Sequence, residues 1–511
     1  MGLACFDGDM SPVVHVTGGL VCGSSREGVD TFLGIPYAAP AVGADRYRAP
    51  QPVVPWEGVR DATQHGPTAC QAPYPPPMDT VLPSSVDPGD EYLNVSVWAP
   101  SDGGDLPVMV WIPGGAFARG ANSVPTYDGS AFARDGVVVV GINYRLGVPG
   151  FAVLDGAPTN LGIRDQVAAL EWVRDNVAAF GGNPDDITVF GESAGGMSVA
   201  SLMASPVARG LFHRAIIQSG GGTAACSLED ARRVSAELAT RLGVPPTAEA
   251  FAALDPEAVL AAQSALGLAL QADPDPQRWG PTVISGGQGI MSFFPVIDGE
   301  LLPDVPEACV AEGSASGIPL LIGTTRDEFR LFLVPTGLAG AVTAEALPLL
   351  AARYRWPDTA VATYAGNRRD SSPGDILCAI LSDTAFRVPS ARLAAAQHPW
   401  ASVYAYEFAW RTPVGDLGAC HGLELPFVFD TLRSGGLMAG RTAPQHLADE
   451  MHRAWVAFGR SGEPGWRPWS PQEPAVMVFD DASAVVVGPR ADELAAWGEH
   501  SEGNDGGPPV G

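Results

Sequence analysis

Short apolar runs alternate with amphipathic stretches along most of the chain. Leu106–Ile112 and residues 137–143 are almost wholly apolar, which predicts strands that are buried on both faces of a sheet. Residues 165–180 predict an amphipathic helix instead. Its apolar positions recur at helical spacing: Val167, Leu170, Val173 and Val177. The hydrophobic pattern therefore predicts strands and helices in alternation, each followed by the next within a few tens of residues.

The same alternation continues towards the C-terminus. Apolar, β-branched runs predict strands at 187–190, 318–323 and 401–410, and small residues at 197–203 suit a helix. Strands separated by helices favour a mostly parallel sheet with helices on both faces. We therefore predict the α/β class.

Composition narrows the possible partners. Thirty Lys and Arg residues stand against 57 Asp and Glu, which gives a formal net charge of -27. Such an acidic surface repels phosphate, so we expect neither nucleic-acid binding nor docking on anionic membranes. All thirty basic residues are arginines. Schiff-base enzymes, Ser-Lys hydrolases and P-loop nucleotide enzymes each need a lysine, and these mechanisms are excluded.

The lack of a recognisable targeting signal and the pattern of cysteines predict a cytoplasmic location. No apolar run is long enough for a transmembrane helix, and the first nine residues hold no basic residue of the kind that opens a secretory signal. The seven cysteines are scattered and form no C-x-x-C pair. Free thiols in a reducing compartment are therefore expected.

Residues 191–196, Gly-Glu-Ser-Ala-Gly-Gly, place Ser193 at the centre of a G-x-S-x-G pattern. The pattern alone is weak in a chain with 61 glycines. A short β-branched strand precedes it and a small-residue helix follows, as in the strand-turn-helix elbow that exposes a nucleophilic serine. Gly191 and Gly195 would keep Cβ atoms out of the tight crossing. The alternative is a glycine-rich turn with an ordinary capping serine.

A second glycine loop, residues 113–117 (Pro-Gly-Gly-Ala-Phe), follows the strand Leu106–Ile112. Acyl transfer forms an oxyanion, for which backbone N–H groups are suitable donors. Gly115 and Ala116, with Ala194 from the elbow, would supply three of them. The alternative is a simple turn, since Pro-Gly-Gly often marks one.

With both loops, the chain resembles the type-B carboxylesterase and cholinesterase family of α/β-hydrolases. The resemblance extends from about Val14 to about Trp469. It is carried by five further stretches: 31–40, 143–147, 160–173, 180–184 and 294–299. It implies an α/β-hydrolase fold with Ser193 as the nucleophile of a carboxylic-ester hydrolase.

The resemblance also implies the other two catalytic residues. Residues 323–328 are similar to the family segment whose last carboxylate orients a histidine, which here is Glu328. Residues 418–426 are similar to the histidine loop and make His421 the general base. The neighbouring Asp327 is the rival acid. Phe329 replaces the glycine that usually follows the acid.

Two departures from the family concern the substrate. Tyr92 stands where the family usually has a cysteine, so Cys70 lacks its disulfide partner, and no tryptophan between the two could bind a choline headgroup. Gly289 and Met291 fall where aromatic residues narrow the acyl pocket of cholinesterases. We therefore predict a wider acyl pocket.

The predicted activity is hydrolysis of neutral, fairly hydrophobic small-molecule esters through an acyl-enzyme, without a metal or organic cofactor. Phe117 and Leu425 are expected to line the site, although both also suit a plain core. Acyl transfer or cleavage of amides, thioesters or carbamates by the same residues is one alternative. A non-catalytic adhesion protein of the same fold is another.

The domain organisation follows from the same reading. Residues 1–498 are expected to form one large catalytic domain, and 499–511, rich in glycine and acidic residues, a flexible tail. The segments 227–280 and 335–400 are expected to be helical insertions that form the wall of the site. Residues 67–90, rich in proline and serine, are expected to form a long loop.

Overall fold

The structure, a computed structural model, describes residues 11–354, 356–434, 436–438 and 443–498. The predicted tail, 499–511, lies outside these ranges. The strands within them are β1 (Val13–Val16), β2 (Gly19–Cys22), β3 (Ser24–Arg26), β4 (Val29–Pro36), β5 (Val59–Asp61), β6 (Asn94–Pro100), β7 (Leu106–Ile112), β8 (Val138–Ile142), β9 (Gly182–Glu192), β10 (Arg214–Gln218), β11 (Cys226–Ser227), β12 (Val296–Ile297), β13 (Leu320–Thr325), β14 (Val403–Phe408), β15 (Ala475–Phe479) and β16 (Ala484–Val487).

Helices occupy much of the chain between these strands. They are α1 (Ser130–Arg134), α2 (Gly147–Phe151), α3 (Leu161–Asn176), α4 (Ala194–Ala204), α5 (Leu228–Leu242), α6 (Ala248–Ala252), α7 (Pro256–Ala272), α8 (Pro276–Trp279), α9 (Pro281–Gly286), α10 (Pro306–Ala311), α11 (Arg330–Leu333), α12 (Leu338–Ala341), α13 (Ala346–Tyr354), α14 (Asp358–Asn367), α15 (Pro373–Ser382), α16 (Val388–Gln397), α17 (Leu425–Val428), α18 (Gln445–Ser461) and α19 (Ala491–Ala495).

Eleven strands form one large sheet in the order β3-β4-β6-β8-β7-β9-β10-β13-β14-β15-β16. The seven strands from β8 to β15 pair in parallel, and the pairs at both edges are antiparallel. The α/β prediction is therefore confirmed. Parallel strands end at the same edge of a sheet, so the loops after β7, β9, β13 and β14 meet there.

Apolar cores cover both faces of this sheet. Along β7, Val108 and Val110 enter the core that contains α3 and α4, whereas Met109 and Trp111 enter the core that contains α18. Successive side chains of a strand point to opposite faces, so a strand covered on both sides must be apolar at every position. This explains why the apolar run in the sequence predicted β7 with its observed bounds.

Other predicted elements differ from the structure at their ends. The helix predicted over 165–180 is α3, Leu161–Asn176, which continues as the 3-10 turn Val177–Phe180. Asn160 precedes α3 in the left-handed conformation, and its amide donates to the carbonyl of Val296. The helix thus begins four residues earlier than its periodicity indicates, next to a residue held by a tertiary contact. The strand predicted over 187–190 is likewise longer, since β9 begins at Gly182.

A buried ion pair joins α3 to the loop that follows β8. The side chains of Arg145 and Asp165 are both fully buried, and the guanidinium of Arg145 donates to both carboxylate oxygens at 2.6 and 2.7 Å. Its remaining nitrogen, Nη1, donates to the backbone carbonyls of Arg46 and Arg48. Every charged atom of the pair is thus neutralised or hydrogen-bonded, as burial requires.

Helices also fill most of the segments expected to form insertions. Helices α5 to α8 lie within 227–280, and α12 to α16 lie within 335–400. Residues 67–90 contain one 3-10 turn, Met78–Thr80. Across the described ranges, the helices lack the combination of length and apolarity needed to cross a bilayer.

Candidate active site

Ser193 lies in the turn between β9 and α4, at the carboxyl edge of the sheet. Its backbone has φ of 56° and ψ of -124°, a strained conformation for a residue with a side chain. The turn needs glycines on both sides. A Cβ on Gly195 would lie 2.0 Å from the carbonyl oxygen of Ile112, and one on Gly191 would lie 2.5 Å from the backbone of Gly195. The glycines of the G-x-S-x-G pattern therefore allow the crossing that presents Ser193.

His421 and Glu328 are in direct contact. The Nδ1 atom of His421 lies 2.5 Å from a carboxylate oxygen of Glu328, and both side chains are buried. The other oxygen of Glu328 accepts a hydrogen bond from the backbone N–H of Thr325 at 2.8 Å. Asp327 instead accepts from the backbone N–H of Ala419. Glu328, and not its rival Asp327, is therefore the carboxylate that contacts Nδ1 of the imidazole.

The second ring nitrogen of His421 faces a carboxylate that the sequence analysis did not select. Its Nε2 atom lies 3.0 Å from Glu192, without the alignment of a hydrogen bond. No hydrogen bond joins Ser193 Oγ to His421 in the described structure. Both side chains nevertheless line one cavity. The structure therefore brings the serine and the histidine into one site, with the imidazole turned to Glu192.

Opposing effects act on the imidazole of His421. Burial by itself lowers the pKa of His421, since a charged ring is poorly solvated there. The carboxylates of Glu192 and Glu328 outweigh burial and raise that pKa well above its usual value. The two carboxylates therefore stabilise the protonated ring, the form that a histidine base passes through between accepting a proton and returning it.

A third acid, Glu424, completes a cluster around His421. Burial, followed by repulsion from Glu192 and Glu328, raises the pKa of Glu424 to about 8. One of its oxygens accepts a hydrogen bond from Gln218, whose own oxygen accepts from the indole of Trp455. Glu424 is therefore favoured in the neutral form at neutral pH.

The positions of these two acids in the sequence offered a signal. Glu192 directly precedes the serine inside the motif, and Glu424 follows His421 by three residues, about one turn. Both are charged residues in segments that are otherwise apolar or small. A charged residue retained at a buried position of a catalytic loop indicates a partner nearby.

The predicted oxyanion loop, residues 113–117, contains three consecutive residues with positive φ. Gly115, Ala116 and Phe117 have φ of 117°, 55° and 56°. A Cβ on Gly115 would lie 2.3 Å from the carbonyl oxygen of Arg119, so only glycine fits there. Ala194 is the first residue of α4, whose first N–H groups have no partner inside the helix. Gly115 and Ala116 line the same cavity as Ser193, and Ala194 follows Ser193 directly in the chain.

The cavity around Ser193 has a volume of about 440 Å³ and is lined mainly by apolar side chains. Met291 and Leu425, two residues predicted to line the site, do so. Gly289 does not, because it forms a left-handed turn with φ of 67° and its neighbours Gln288 and Ile290 line the cavity instead.

Phe117 also lies outside the cavity, unlike the prediction. Its side chain is fully buried, and its ring packs edge-on against Phe151 with 4.9 Å between the ring centres. Phe117 has a left-handed backbone, and its side chain enters the core instead of the cavity. Phe117 therefore packs the loop against the core.

Comparison with known proteins agrees with this geometry. The model of the carboxylesterase family matches residues 10–497. The chain belongs to the carboxylesterase family. It is 38% identical to the para-nitrobenzyl esterase of Bacillus subtilis (strain 168), over 94% of this chain and 97% of that protein. It is 35% identical to the phenmedipham hydrolase of Pseudarthrobacter oxydans, over 93% of this chain and 96% of that protein.

Solved carboxylesterase structures share the fold. A Geobacillus stearothermophilus carboxylesterase is 38% identical with a TM-score of 0.82, over 95% of this chain and 99% of that one. A PNB esterase is 36% identical with a TM-score of 0.81, over 96% and 100%. The protein is therefore a serine carboxylesterase of the α/β-hydrolase fold, and the predicted family and activity are confirmed.

In this carboxylesterase, the loop that bears Cys70 lacks the disulfide common in its family. Cys70 is an exposed free thiol. Tyr92 is buried, and its hydroxyl donates to the carbonyl of Ala41 at 2.7 Å. A hydrogen bond thus anchors the chain where a cysteine pair would otherwise do so.

Replacing Glu192 with glutamine is expected to move the acidic limb of the pH profile of kcat/KM towards lower pH. His421 must be neutral to accept a proton, and the variant loses one of the two carboxylates that raise its pKa. The profile is measured with a p-nitrophenyl ester from pH 5 to 9. Glu300→Gln removes an exposed carboxylate and serves as the control. An unchanged limb in Glu192→Gln would show that Glu192 does not act on His421.

Proposed function

We propose that Ser193 is the nucleophile of this carboxylesterase, His421 the general base and Glu328 the carboxylate that orients the base. One observation carries the proposal: the strained serine turn and the buried His421–Glu328 pair open into the same cavity. A carboxylate on Nδ1 leaves Nε2 as the nitrogen that exchanges protons with the substrate. Strain at Ser193 projects its hydroxyl into that cavity.

The catalytic cycle follows from these positions. The imidazole of His421 turns from Glu192 to Ser193, and Nε2 takes the hydroxyl proton as Ser193 Oγ attacks the ester carbonyl. The N–H groups of Gly115, Ala116 and Ala194 stabilise the oxyanion. His421 then donates the proton to the leaving alcohol, and water repeats the sequence on the acyl-enzyme.

The apolar lining of the cavity supports esters with a fairly hydrophobic acyl group. Met291 is flexible and leaves room that an aromatic side chain would fill. The net charge of -27 supports small-molecule substrates over nucleic acids. Free thiols such as Cys70 and Cys226 support a cytoplasmic location.

A series of p-nitrophenyl esters from acetate to octanoate tests this proposal. We expect kcat/KM to be highest beyond acetate, because each methylene that enters the apolar cavity contributes about 0.8 kcal/mol. Met291→Phe narrows the cavity and is expected to shift the preference towards acetate. A wild-type preference for acetate would contradict the wide acyl pocket.

A fluorophosphonate provides the control for the chemistry. It is expected to phosphonylate Ser193 with release of fluoride, to abolish hydrolysis of every ester in the series, and to add the mass of the phosphonyl group to the peptide that contains Ser193. Complete inactivation with the label on another serine would overturn the assignment of the nucleophile.

A further inference from the structure

Among the described residues that line the cavity, Arg119 is a charged side chain that has no part in the cycle above. Arg119 follows the oxyanion loop, and its backbone N–H donates to the carbonyl of Gly115. Its guanidinium carbon lies 4.8 Å from the ring centre of Tyr74. Both side chains line the cavity that contains Ser193. Arg119 is therefore within the space that a substrate enters.

Arg119 has no anionic partner in the described ranges. No carboxylate there lies within 4.0 Å of its guanidinium, and its buried Nε atom has no acceptor. Other arginines in the interior are paired: Arg145 with Asp165, and Arg330 with Asp375. The chain has 57 acidic residues for 30 basic ones, so partners are abundant. Among the described residues, Arg119 therefore differs from these two arginines in facing a cavity without a carboxylate partner.

The nearest acid in the lining cannot neutralise Arg119, because Glu192 is directed at Nε2 of His421. The contact with Tyr74 also leaves the N–H donors of Arg119 able to bind a ligand. Stacking uses the face of the guanidinium, whereas its N–H donors project from the edge in the plane. The fork of N–H groups suits a carboxylate, which accepts two parallel hydrogen bonds.

We propose that Arg119 binds a carboxylate of the substrate, so that a monoanionic ester is preferred over a neutral ester of nearly the same shape. This proposal rests on the proposed function. Arg119 stacks on Tyr74, and the next residue, Gly120, exchanges two hydrogen bonds with Gln71. This wall is formed by the loop 71–85, whereas Met291 belongs to the acyl wall. The carboxylate is therefore placed on the alcohol part of the ester.

The strongly negative net charge of the protein does not prevent this recognition. Charges farther away than about 8 Å are largely screened at physiological ionic strength. A guanidinium inside an apolar cavity acts at short range and at low local dielectric. The local charge therefore decides which substrate is bound, and the distant surface charge reduces only the rate of encounter.

The test compares 4-(butanoyloxy)benzoate with the neutral 4-(butanoyloxy)benzamide, which has nearly the same shape. We expect wild type to prefer the benzoate. In Arg119→Gln, the ratio of the two kcat/KM values is expected to fall about tenfold or more, mainly through KM, since hydrogen bonds to a charged group are strong. Arg119→Lys is expected to retain part of the preference. Arg26→Gln, which removes an exposed arginine, is the control and keeps the wild-type ratio.

The outcomes separate this inference from the proposed function. If wild type hydrolyses the benzamide and the ratio is the same in Arg119→Gln, the anion site is refuted and the esterase chemistry stands. If both substrates decline equally in Arg119→Gln, Arg119 only holds the loop 71–85, which also refutes the site. With p-nitrophenyl hemisuccinate, whose carboxylate is in the acyl part, a larger loss than with the benzoate would overturn the placement on the alcohol side. A wild type that hydrolyses neither aryl ester would contradict the proposed function itself.

Discussion

Replacing Ser193 with alanine is expected to lower kcat for p-nitrophenyl butanoate by about five to six orders of magnitude. Loss of the nucleophile removes the covalent route, and what remains is stabilisation of the oxyanion and positioning of the ester. The left-handed turn also accepts alanine, which is smaller than serine and has the same Cβ. Stopped assays at high enzyme concentration measure the residual rate.

Ser201→Ala is the matched control for this variant. Ser201 is a buried serine of α4, and its hydroxyl donates to the carbonyl of Met197 inside the helix. The change also replaces a serine with alanine, but inside α4 and eight residues beyond Ser193, so kcat is expected to stay within about twofold of wild type, as expected for a site away from the chemistry. A comparable rate for Ser193→Ala and wild type would exclude Ser193 as the nucleophile.

Replacing Asp165 with asparagine is expected to lower the free energy of unfolding by about 3–5 kcal/mol. The variant leaves the fully buried guanidinium of Arg145 without a counter-charge, and the carbonyls of Arg46 and Arg48 only partly compensate. The free energy comes from urea unfolding followed by far-UV circular dichroism at pH 7.

Asp175→Asn provides the comparison for Asp165→Asn on the same helix, α3. Asp175 pairs with Arg174, but about half of each side chain is exposed to solvent. Exposed pairs contribute little, so a change of less than about 1 kcal/mol is expected. Equal effects of the two substitutions would show that burial of the Arg145–Asp165 pair adds no stability.

Local patterns predicted the central elements well where burial is uniform. β7 is apolar at every position because both faces of the sheet are covered, and its predicted and observed bounds agree. The ends of α3 and β9 were less well predicted. Asn160, which precedes α3, donates a hydrogen bond to Val296, a residue 136 positions away, and no local window contains such a contact.

The site residues were predicted unevenly for a similar reason. Motifs select Ser193, Glu328 and His421, since each is a fixed position in a recognisable segment. Phe117 was misplaced because an apolar residue beside a catalytic loop suits either the cavity or the core. The left-handed backbone of its loop and the burial of its side chain in the core are properties of the folded chain.

The sequence alone determined the α/β class, the carboxylesterase family and the segments that meet at the active site. These depend on periodicity and on short motifs, which are local. Only the tertiary structure decided that Nε2 of His421 faces Glu192, that Glu424 joins the buried acids, and that Arg119 lines the cavity with no carboxylate partner among the described residues. The charge state and pairing of a buried group depend on residues far apart in the chain, and burial makes their electrostatic interaction strong.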